Sequence, residues 1–146
     1  MTEVVFGKYE FRVEKKEEGQ YIFDPMRKKY VALTPEEWVR QHILHYLTEN
    51  LSYPKSLIAV ERGLKVNDLQ KRFDVLVFDQ KGTPKMIVEC KAPDEVLNEN
   101  VLEQIISYNL SLKVRYLWVT NGRLNFCWRL SDKIELLQSV PAHASP

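Results

Sequence analysis

Two stretches of the sequence decide the fold: KRFDVLVF at residues 71–78 and IVECKAP at residues 87–93. Both are rich in the β-branched, aromatic and other apolar residues that are typical of buried strands. Gly82 and Pro84 indicate a turn between them. We therefore predict that the two stretches form neighbouring strands of one sheet.

Three charged residues, Asp74, Glu89 and Lys91, interrupt these apolar stretches. Charged side chains are rarely buried without a partner or a metal, so their position needs an explanation. Because successive side chains of a strand point to opposite faces, Glu89 and Lys91 share one face and Cys90 points to the other. Asp74 on the neighbouring strand can meet the pair across the ladder. Two carboxylates and one ammonium at the end of a sheet can hold a divalent metal against a phosphate.

The composition excludes several classes of protein. With 146 residues, 45% of them hydrophobic and 28% charged, the chain has the make-up of one soluble globular domain. It has no apolar run of transmembrane length and no secretory signal, so we expect a cytoplasmic protein with no membrane contact. Two distant cysteines fit reduced thiols, and no Cys/His cluster has zinc spacing. The formal net charge of +1 does not indicate tight DNA binding by this chain alone.

Residues 1–33 predict a small β extension. Val4–Val13 and Tyr21–Leu33 have the composition of strands on either side of the polar run Glu14–Gln20, and Asp24-Pro25 is typical of a second turn. We expect the core of the fold to begin directly after this extension.

A helix opens at TPEE, residues 34–37, and continues at helical spacing to about Asn50. The threonine suits the N-cap, the proline the first helical position and the second glutamate the third, which together make a capping box. The elements expected after this helix are the strands Leu57–Val66, Arg72–Phe78 and Lys85–Cys90, a second helix from about Asn98 to Leu112, and the strands Tyr116–Thr120 and Asn125–Leu130.

The order helix, three strands, helix, strand predicts a mixed α/β fold with helices on the sheet faces and extra β strands at both ends. We expect a tight turn at Asn67-Asp68 and a disordered tail after Val140. The predicted domain organisation is a β extension at 1–33, a core at 34–121, and a C-terminal strand with a disordered tail at 122–146. The side chains of the second helix that should face the sheet are Val101, Ile105, Tyr108 and Leu112.

Four motifs together resemble the PD-(D/E)XK nuclease superfamily, and more narrowly the N-terminal nuclease domain of type I restriction enzyme motor (R) subunits. They are TPEEWVRQ at 34–41, RFD at 72–74, ECKAP at 89–93, and glutamine and tyrosine in the Q-x-x-x-Y spacing at 104 and 108. The resemblance covers about residues 20–122 and implies a restriction-endonuclease-like core. Such motor subunits continue into a translocase, whereas this chain has no glycine loop with P-loop spacing, so we expect no ATPase of its own.

The resemblance implies a Mg²⁺-dependent (or Mn²⁺-dependent) DNA endonuclease, a hydrolase of phosphodiester bonds. Asp74 and Glu89 would ligate the metal, with the backbone carbonyl of Cys90 as a third oxygen, and oxygen ligands suit such hard ions. Lys91 would orient or deprotonate the attacking water, or steady the phosphate as a point charge. Gln104 and Tyr108, one helical turn apart, would position the lysine or the DNA backbone.

Each of these residues also has a purely structural explanation. Glu89 and Lys91 can simply pair at a solvated strand end, and Tyr108 can be a core residue with Gln104 as its polar neighbour. A helix-borne acid from Glu36 or Glu37 would add to the metal site, although the capping box already explains Glu37. Glu61 would either join the metal or be an exposed hairpin charge. The basic residues that could contact phosphates, or could be ordinary surface charges, are Arg40, His42, Lys71 and Arg72.

Two functions from different classes fit the sequence. The first is the metal-dependent nuclease domain, acting on DNA in a restriction or repair system, as a homodimer or with a partner protein. The second is a non-cleaving nucleic-acid-binding or accessory module that keeps the nuclease fold.

Overall fold

The computed structural model describes residues 1–66 and 69–144. It confirms the predicted mixed α/β class, since a six-stranded mixed sheet forms the body of the molecule and a three-stranded sheet precedes it in the chain. The strands and helices in chain order are β1 (Val13–Lys16), β2 (Gly19–Asp24), β3 (Lys29–Ala32), α1 (Pro35–His45), β4 (Ile58–Val66), β5 (Leu69–Phe78), β6 (Pro84–Cys90), α2 (Glu99–Leu110), β7 (Tyr116–Thr120), β8 (Asn125–Leu130) and β9 (Ile134–Leu136).

The central sheet has the strand order β4-β5-β6-β7-β8-β9. All neighbours are antiparallel except β6 and β7, a parallel pair that α2 connects as a crossover. The two apolar stretches lie in β5 and at the end of β6, and the two strands are neighbours, as predicted. Val75 of β5 pairs with Val88 of β6. The turn expected at Asn67-Asp68 lies outside the described residues.

One helix covers each face of this sheet. Ile43 of α1 packs into a buried cluster with Val88 and Trp118. Ile105 of α2 packs into a second cluster, which contains Ile87. Val88 and Ile87 enter different clusters because neighbouring side chains of a strand point to opposite faces. The carboxyl end of β6 is therefore flanked by both helices.

The start of α1 follows the predicted capping chemistry only in part. The Glu37 N–H donates to Thr34 Oγ1 at 3.0 Å, as an N-cap requires. The Glu37 carboxylate does not complete a capping box, however, because it accepts hydrogen bonds from Arg27 Nη2 at 2.8 Å and from Gln41 Nε2 at 3.1 Å. The regular helix ends at His45, and a π-helical turn continues it to Asn50.

The N-terminal β extension differs from the prediction in its strand positions. The turn expected across the whole run Glu14–Gln20 is confined to residues 17–18, because the β1–β2 hairpin pairs Lys16 with Gly19. Residues 4–12 belong to no strand; their aromatic side chains pack on α1 instead, as Phe11 does against His42 with ring centroids 4.8 Å apart. The turn at Asp24-Pro25 is present, held by the Met26 N–H donating to Asp24 Oδ1 at 2.7 Å.

The C-terminal part also departs from the prediction. The short edge strand β9 was not foreseen; it pairs with β8 through Trp128↔Leu136. Residues 141–144, expected to be disordered, lie against the core, because Tyr53 Oη donates to the Pro141 carbonyl at 2.6 Å and the His143 N–H donates to the Leu51 carbonyl at 2.8 Å. In the part of the chain that the structure describes, no helix has the length and hydrophobicity needed to cross a membrane.

Candidate active site

The carboxyl end of β6 carries Glu89 and, just beyond it, Lys91. The Lys91 N–H donates to the Thr120 carbonyl at 2.8 Å, which extends the pairing with β7 past the end of the strand. Lys91 Nζ lies 4.0 Å from Glu89 Oε2, and both side chains are partly exposed. Cys90 between them is buried in the cluster on the α1 side, as the alternation of strand side chains predicts.

Asp74 of β5 is joined to the same strand end. Its Oδ2 accepts a hydrogen bond from the Cys90 N–H at 2.8 Å. Burial raises the pKa of the Cys90 thiol well above its ordinary value, so this residue contributes its backbone rather than a nucleophile. The backbone of β6 thereby fixes the Asp74 carboxylate beside the Glu-x-Lys triplet.

Burial raises the pKa of both carboxyl groups in this site. For Asp74 the hydrogen bond from Cys90 and the charges of Arg40 and Lys91 oppose the effect of burial without cancelling it. For Glu89 the charge of Lys91 opposes burial, whereas the charge of Asp74 adds to it. Two carboxylates whose charges are held close together at a partly buried strand end are typical of a functional site, because a bound cation would relieve both costs.

Glu36, at the start of α1, belongs to the same electrostatic group. Partial burial raises its pKa, and the negative charge of Asp74 raises it further. The positive charges of Arg40 and Lys91 act in the opposite direction. Of the two acids on α1, Glu36 therefore interacts electrostatically with the site. The Glu37 carboxylate instead accepts hydrogen bonds from Arg27 and Gln41.

Arg40 is the closest basic partner of Asp74 that α1 supplies. Only 6% of it is exposed. Its guanidinium lies 3.4 Å from Glu37, 3.3 Å from Glu61 and 3.8 Å from Asp74, measured between the nearest nitrogen and oxygen atoms. A phosphate contact by Arg40 was one possibility from the sequence, and it is wrong for this structure because the side chain is buried among carboxylates.

Glu61 has an unusual backbone conformation within β4. Its φ of 51° is left-handed, which is uncommon for a residue other than glycine. The ladder with β5 continues on both sides of it, through Val60↔Val75 and Arg62↔Phe73. The carboxylate lies 3.4 Å from Arg27 and 3.2 Å from Arg72 in addition to its contact with Arg40. Glu61 is thus part of an arginine network rather than an isolated hairpin charge.

Among the described residues, the hydrogen bonds to the two carboxylates come from Cys90 and Asn109 and not from Gln104 or Tyr108. Both are exposed on α2, and Tyr108, expected to face the sheet, is 53% exposed. Lys71 Nζ lies 4.1 Å from the centre of the Tyr108 ring and donates to its carbonyl at 3.1 Å. The prediction that Tyr108 packs on the sheet is therefore wrong.

Asn109 takes the sheet-facing position instead, and sequence reasoning missed it. Its side chain is fully buried. The Nδ2 donates to the Ile105 carbonyl at 2.8 Å and, more weakly, to Glu89 Oε1 at 3.4 Å. The signal in the sequence is its spacing, because a polar residue four positions after Ile105 falls on the apolar side of the helix.

The donor set fits a hard divalent cation but does not enclose one. Within residues 1–66 and 69–144, no three side chains of His, Cys, Asp or Glu converge with metal-binding geometry. Asp74 and Glu89 offer two carboxylates at one strand end, and Mg²⁺ is commonly held by one or two carboxylates while it keeps several waters. The residues present therefore suit Mg²⁺ or Mn²⁺, with the rest of the shell left to water or substrate.

Comparison with known proteins gives a family and several structural relatives. The family described as "Type I restriction enzyme R protein N terminus (HSDR_N)" matches residues 35–141. No curated protein matches the chain.

Two of the matching solved structures illustrate that the fold is shared at low sequence identity. One is a fragment of a predicted HsdR subunit of a type I restriction enzyme from Vibrio vulnificus YJ016, with a TM-score of 0.54 and 18% identity over 75% of this chain. The match spans only 24% of that longer chain. The other is a predicted nuclease belonging to DUF820 from Anabaena variabilis ATCC 29413, with a TM-score of 0.50 and 13% identity over 86% of this chain and 79% of the other.

Proposed function

Because the chain belongs to the family of type I restriction enzyme R protein N termini, a family of nuclease-type domains, we propose that it is a metal-dependent DNA endonuclease domain. Its reaction is the hydrolysis of phosphodiester bonds. One observation carries the proposal: the Cys90 N–H holds Asp74 beside a strand end that also presents Glu89 and Lys91. The three residues match the aspartate and the Glu-x-Lys triplet of the superfamily in identity and order, with Asp74 and Glu89 on adjacent strands and Lys91 directly after the second.

Each residue of the site has a role that its contacts support. Asp74 and Glu89 would hold the divalent cation, which supplies Lewis-acid stabilisation of the phosphate and a more acidic water. Lys91, with its ammonium 4.0 Å from Glu89, would steady a phosphate oxygen or orient the attacking water. Arg40 and Asn109 contact the two carboxylates from opposite helices and act as positioning residues.

DNA is the proposed substrate, and the partners are those of a multi-subunit restriction system. The family is named for the R protein of type I restriction enzymes, and the Vibrio relative is described as a subunit of one. A homodimer or a partner chain would also provide the second site that cutting both strands requires.

A non-cleaving nucleic-acid-binding or accessory module is the second candidate. The position of Gln104 and Tyr108 favours it, since both are exposed on α2 and neither donates one of the described hydrogen bonds to the carboxylates. Arg40 also lies 3.8 Å from Asp74, so part of the negative charge that would attract a metal is already balanced.

Nicking of supercoiled plasmid separates the two candidates. The chain is incubated at low salt with Mg²⁺ or Mn²⁺, beside Lys91→Ala and the control Lys133→Ala, which removes an exposed lysine. The nuclease proposal expects nicked plasmid from the unchanged chain and the control, and none from Lys91→Ala. Inactivity of all three proteins with every metal would support the non-cleaving module.

A further inference from the structure

A second cavity, of about 450 Å³, lies at the end of the sheet opposite the carboxylates. It forms where β5 ends and where β6 and β7 begin, and the residues 143–144 close one side of it. Lys85 at the start of β6 lines it, four residues before Glu89. At roughly 3.3 Å per residue, the two positions are roughly 13 Å apart along the strand. The cavity is therefore separate from the candidate active site.

Cationic side chains dominate the lining of this cavity. They are Lys81, Lys85, Lys113 and Arg115, and we call them the basic pocket. None of them forms a salt bridge with another residue in the described part of the chain. The cavity has one acidic lining residue, Asp79, whose Oδ1 already accepts hydrogen bonds from the backbone N–H groups of Lys81 and Thr83, both at 2.9 Å. The positive charge is thus largely uncompensated.

The fold, rather than proximity in the sequence, assembles the basic pocket. The parallel register Met86↔Tyr116 places the preceding residues, Lys85 and Arg115, side by side at the start of their strands. Lys113 lies in the link between α2 and β7 with a left-handed φ of 54°. The turn between β5 and β6 contributes the fourth cation. The segments 81–85 and 113–115 therefore bring their cations to one cavity.

The pKa of Lys85 reflects the electrostatic effect of bringing these cations together. Burial lowers this pKa and the positive charge of Arg115 lowers it further, whereas the negative charge of Asp79 opposes these effects without cancelling them. The Lys85 Nζ lies 4.9 Å from the centre of the Tyr53 ring, which is itself packed 5.4 Å from the ring of His143. A half-buried ammonium next to another cation is unfavourable unless an anion is bound, because like charges disfavour the protonated form.

We propose that the basic pocket binds phosphate groups of a polyanion. Lysine ammonium groups act as point charges toward phosphate, and arginine can bind it through two parallel hydrogen bonds. Four cations around an open cavity match a ligand with more than one phosphate. The backbone of a nucleic acid and a free oligophosphate share this chemistry. The inference does not rest on the nuclease proposal, because it requires neither the carboxylates nor a metal.

Two probes test the proposal on the full chain at low salt in the presence of a chelator, so that no cleavage occurs. Inorganic triphosphate is titrated by calorimetry, and a short labelled DNA duplex is titrated by fluorescence anisotropy. The pocket variant is Lys81→Gln with Arg115→Gln, both exposed positions. The control variant, Lys15→Gln with Lys133→Gln, removes the same charge from exposed sites outside the pocket. Lys85→Met is a second pocket variant that keeps an apolar stem beside Tyr53.

We expect the pocket variants to bind triphosphate at least about tenfold more weakly, and the control to change by no more than about twofold, because only contacting cations contribute strongly to phosphate affinity. A parallel loss for the duplex identifies the ligand as nucleic-acid backbone, and a loss for triphosphate alone identifies a free oligophosphate. The proposal is overturned if neither probe is weakened more by the pocket variants than by the control.

Discussion

The two ends of the central sheet carry charges of opposite sign, and these charges differ in how far they are paired with opposite charges. At the carboxyl end of β6, Arg40 and Lys91 lie within salt-bridge distance of Asp74 and Glu89, respectively. Glu61 by itself lies within salt-bridge distance of three arginines. At the start of β6, the cations of the basic pocket have no acidic partner within salt-bridge distance among the described residues. Internal pairing holds the carboxylates of the acidic end in position without neutralising them fully, whereas the cations of the basic end are left open to a ligand.

The formal net charge conceals this arrangement. A value of +1 predicts weak attraction to DNA only if the charges are spread evenly. The fold instead pairs most of the arginines near the active site with acids and gathers unpaired cations elsewhere. Weak binding of DNA by the isolated chain stays a prediction.

Removing one carboxylate at each end should give opposite outcomes. Asp74→Ala should abolish Mn²⁺ binding and plasmid nicking, because it deletes one of two proposed ligands. Asp79→Ala, the matched change beside the basic pocket, should leave both intact. Calorimetry with Mn²⁺ and plasmid nicking measure the two effects, and circular dichroism verifies folding. Unchanged metal binding in Asp74→Ala would refute the assignment of the site.

Arg40→Ala should destabilise the domain by roughly 3 kcal/mol, because breaking a buried ion pair leaves charges without compensation. The carboxylates affected are Glu37, Glu61 and Asp74. Arg129→Ala, which breaks the exposed pair with Glu135, should destabilise the domain much less, because solvent screens an exposed pair. Urea unfolding gives both free energies. Equal losses would mean that the network at the acidic end is no more structural than a surface pair.

Asn109→Ala should weaken Mn²⁺ affinity and nicking by roughly tenfold, in keeping with the loss of a residue that orients a metal ligand. The structural reason is its hydrogen bond to Glu89. Gln104→Ala is the matched change on the exposed side of the same helix. Both variants are measured for Mn²⁺ affinity and nicking. A larger loss for Gln104→Ala than for Asn109→Ala would support the role that the sequence motif assigns to the glutamine and the tyrosine.

The smallest effects concern pH, and they should have opposite signs for two glutamates. Burial raises the pKa of Glu61, but the charges of Arg40 and Arg27 outweigh it and lower that pKa overall. Its ionised form therefore stabilises the fold above the unfolded-state pKa, and this contribution is lost as the pH falls. Burial raises the pKa of Glu89, so its contribution is greatest at low pH and is lost as the pH rises through the folded-state pKa.

Urea unfolding of Glu61→Gln and Glu89→Gln, at about pH 7 and about pH 4, measures this difference. Glu61→Gln should be destabilised at the higher pH and approach the unchanged chain at the lower one. Glu89→Gln should gain stability relative to the unchanged chain at the higher pH and lose that advantage at the lower one. The same pH trend in both variants would contradict the electrostatic description of the acidic end.

Much of the fold follows from local patterns in the sequence. β6 and β7 match their predicted spans to within one residue, and the β5–β6 pairing is the predicted one. Apolar alternation and the Thr34 cap depend only on residues close in the chain, which is why they can be recognised without a structure. The triplet around Cys90 was placed on its correct faces for the same reason.

The parts that sequence reasoning missed depend on long-range contacts. Periodicity alone could not choose between Tyr108 and Asn109 as the residue on the sheet side of α2, because adjacent helical positions differ in direction by about 100° and the boundary of the buried face is set by packing. The capping box failed because Arg27, ten residues earlier, offered Glu37 a stronger charged partner than the backbone.

Alternation and spacing along the chain were enough to predict the order of the core helices and strands, the N-cap, and the position of Asp74 and Glu89 on adjacent strands with Lys91 directly after the second of them. Only tertiary packing places Arg40 among three carboxylates, Asn109 against Glu89, and the cations of the segments 81–85 and 113–115 in one cavity. Those contacts join residues from separate elements, and only the register of the sheet and the packing of the helices bring them within the few ångströms over which charges and hydrogen bonds act.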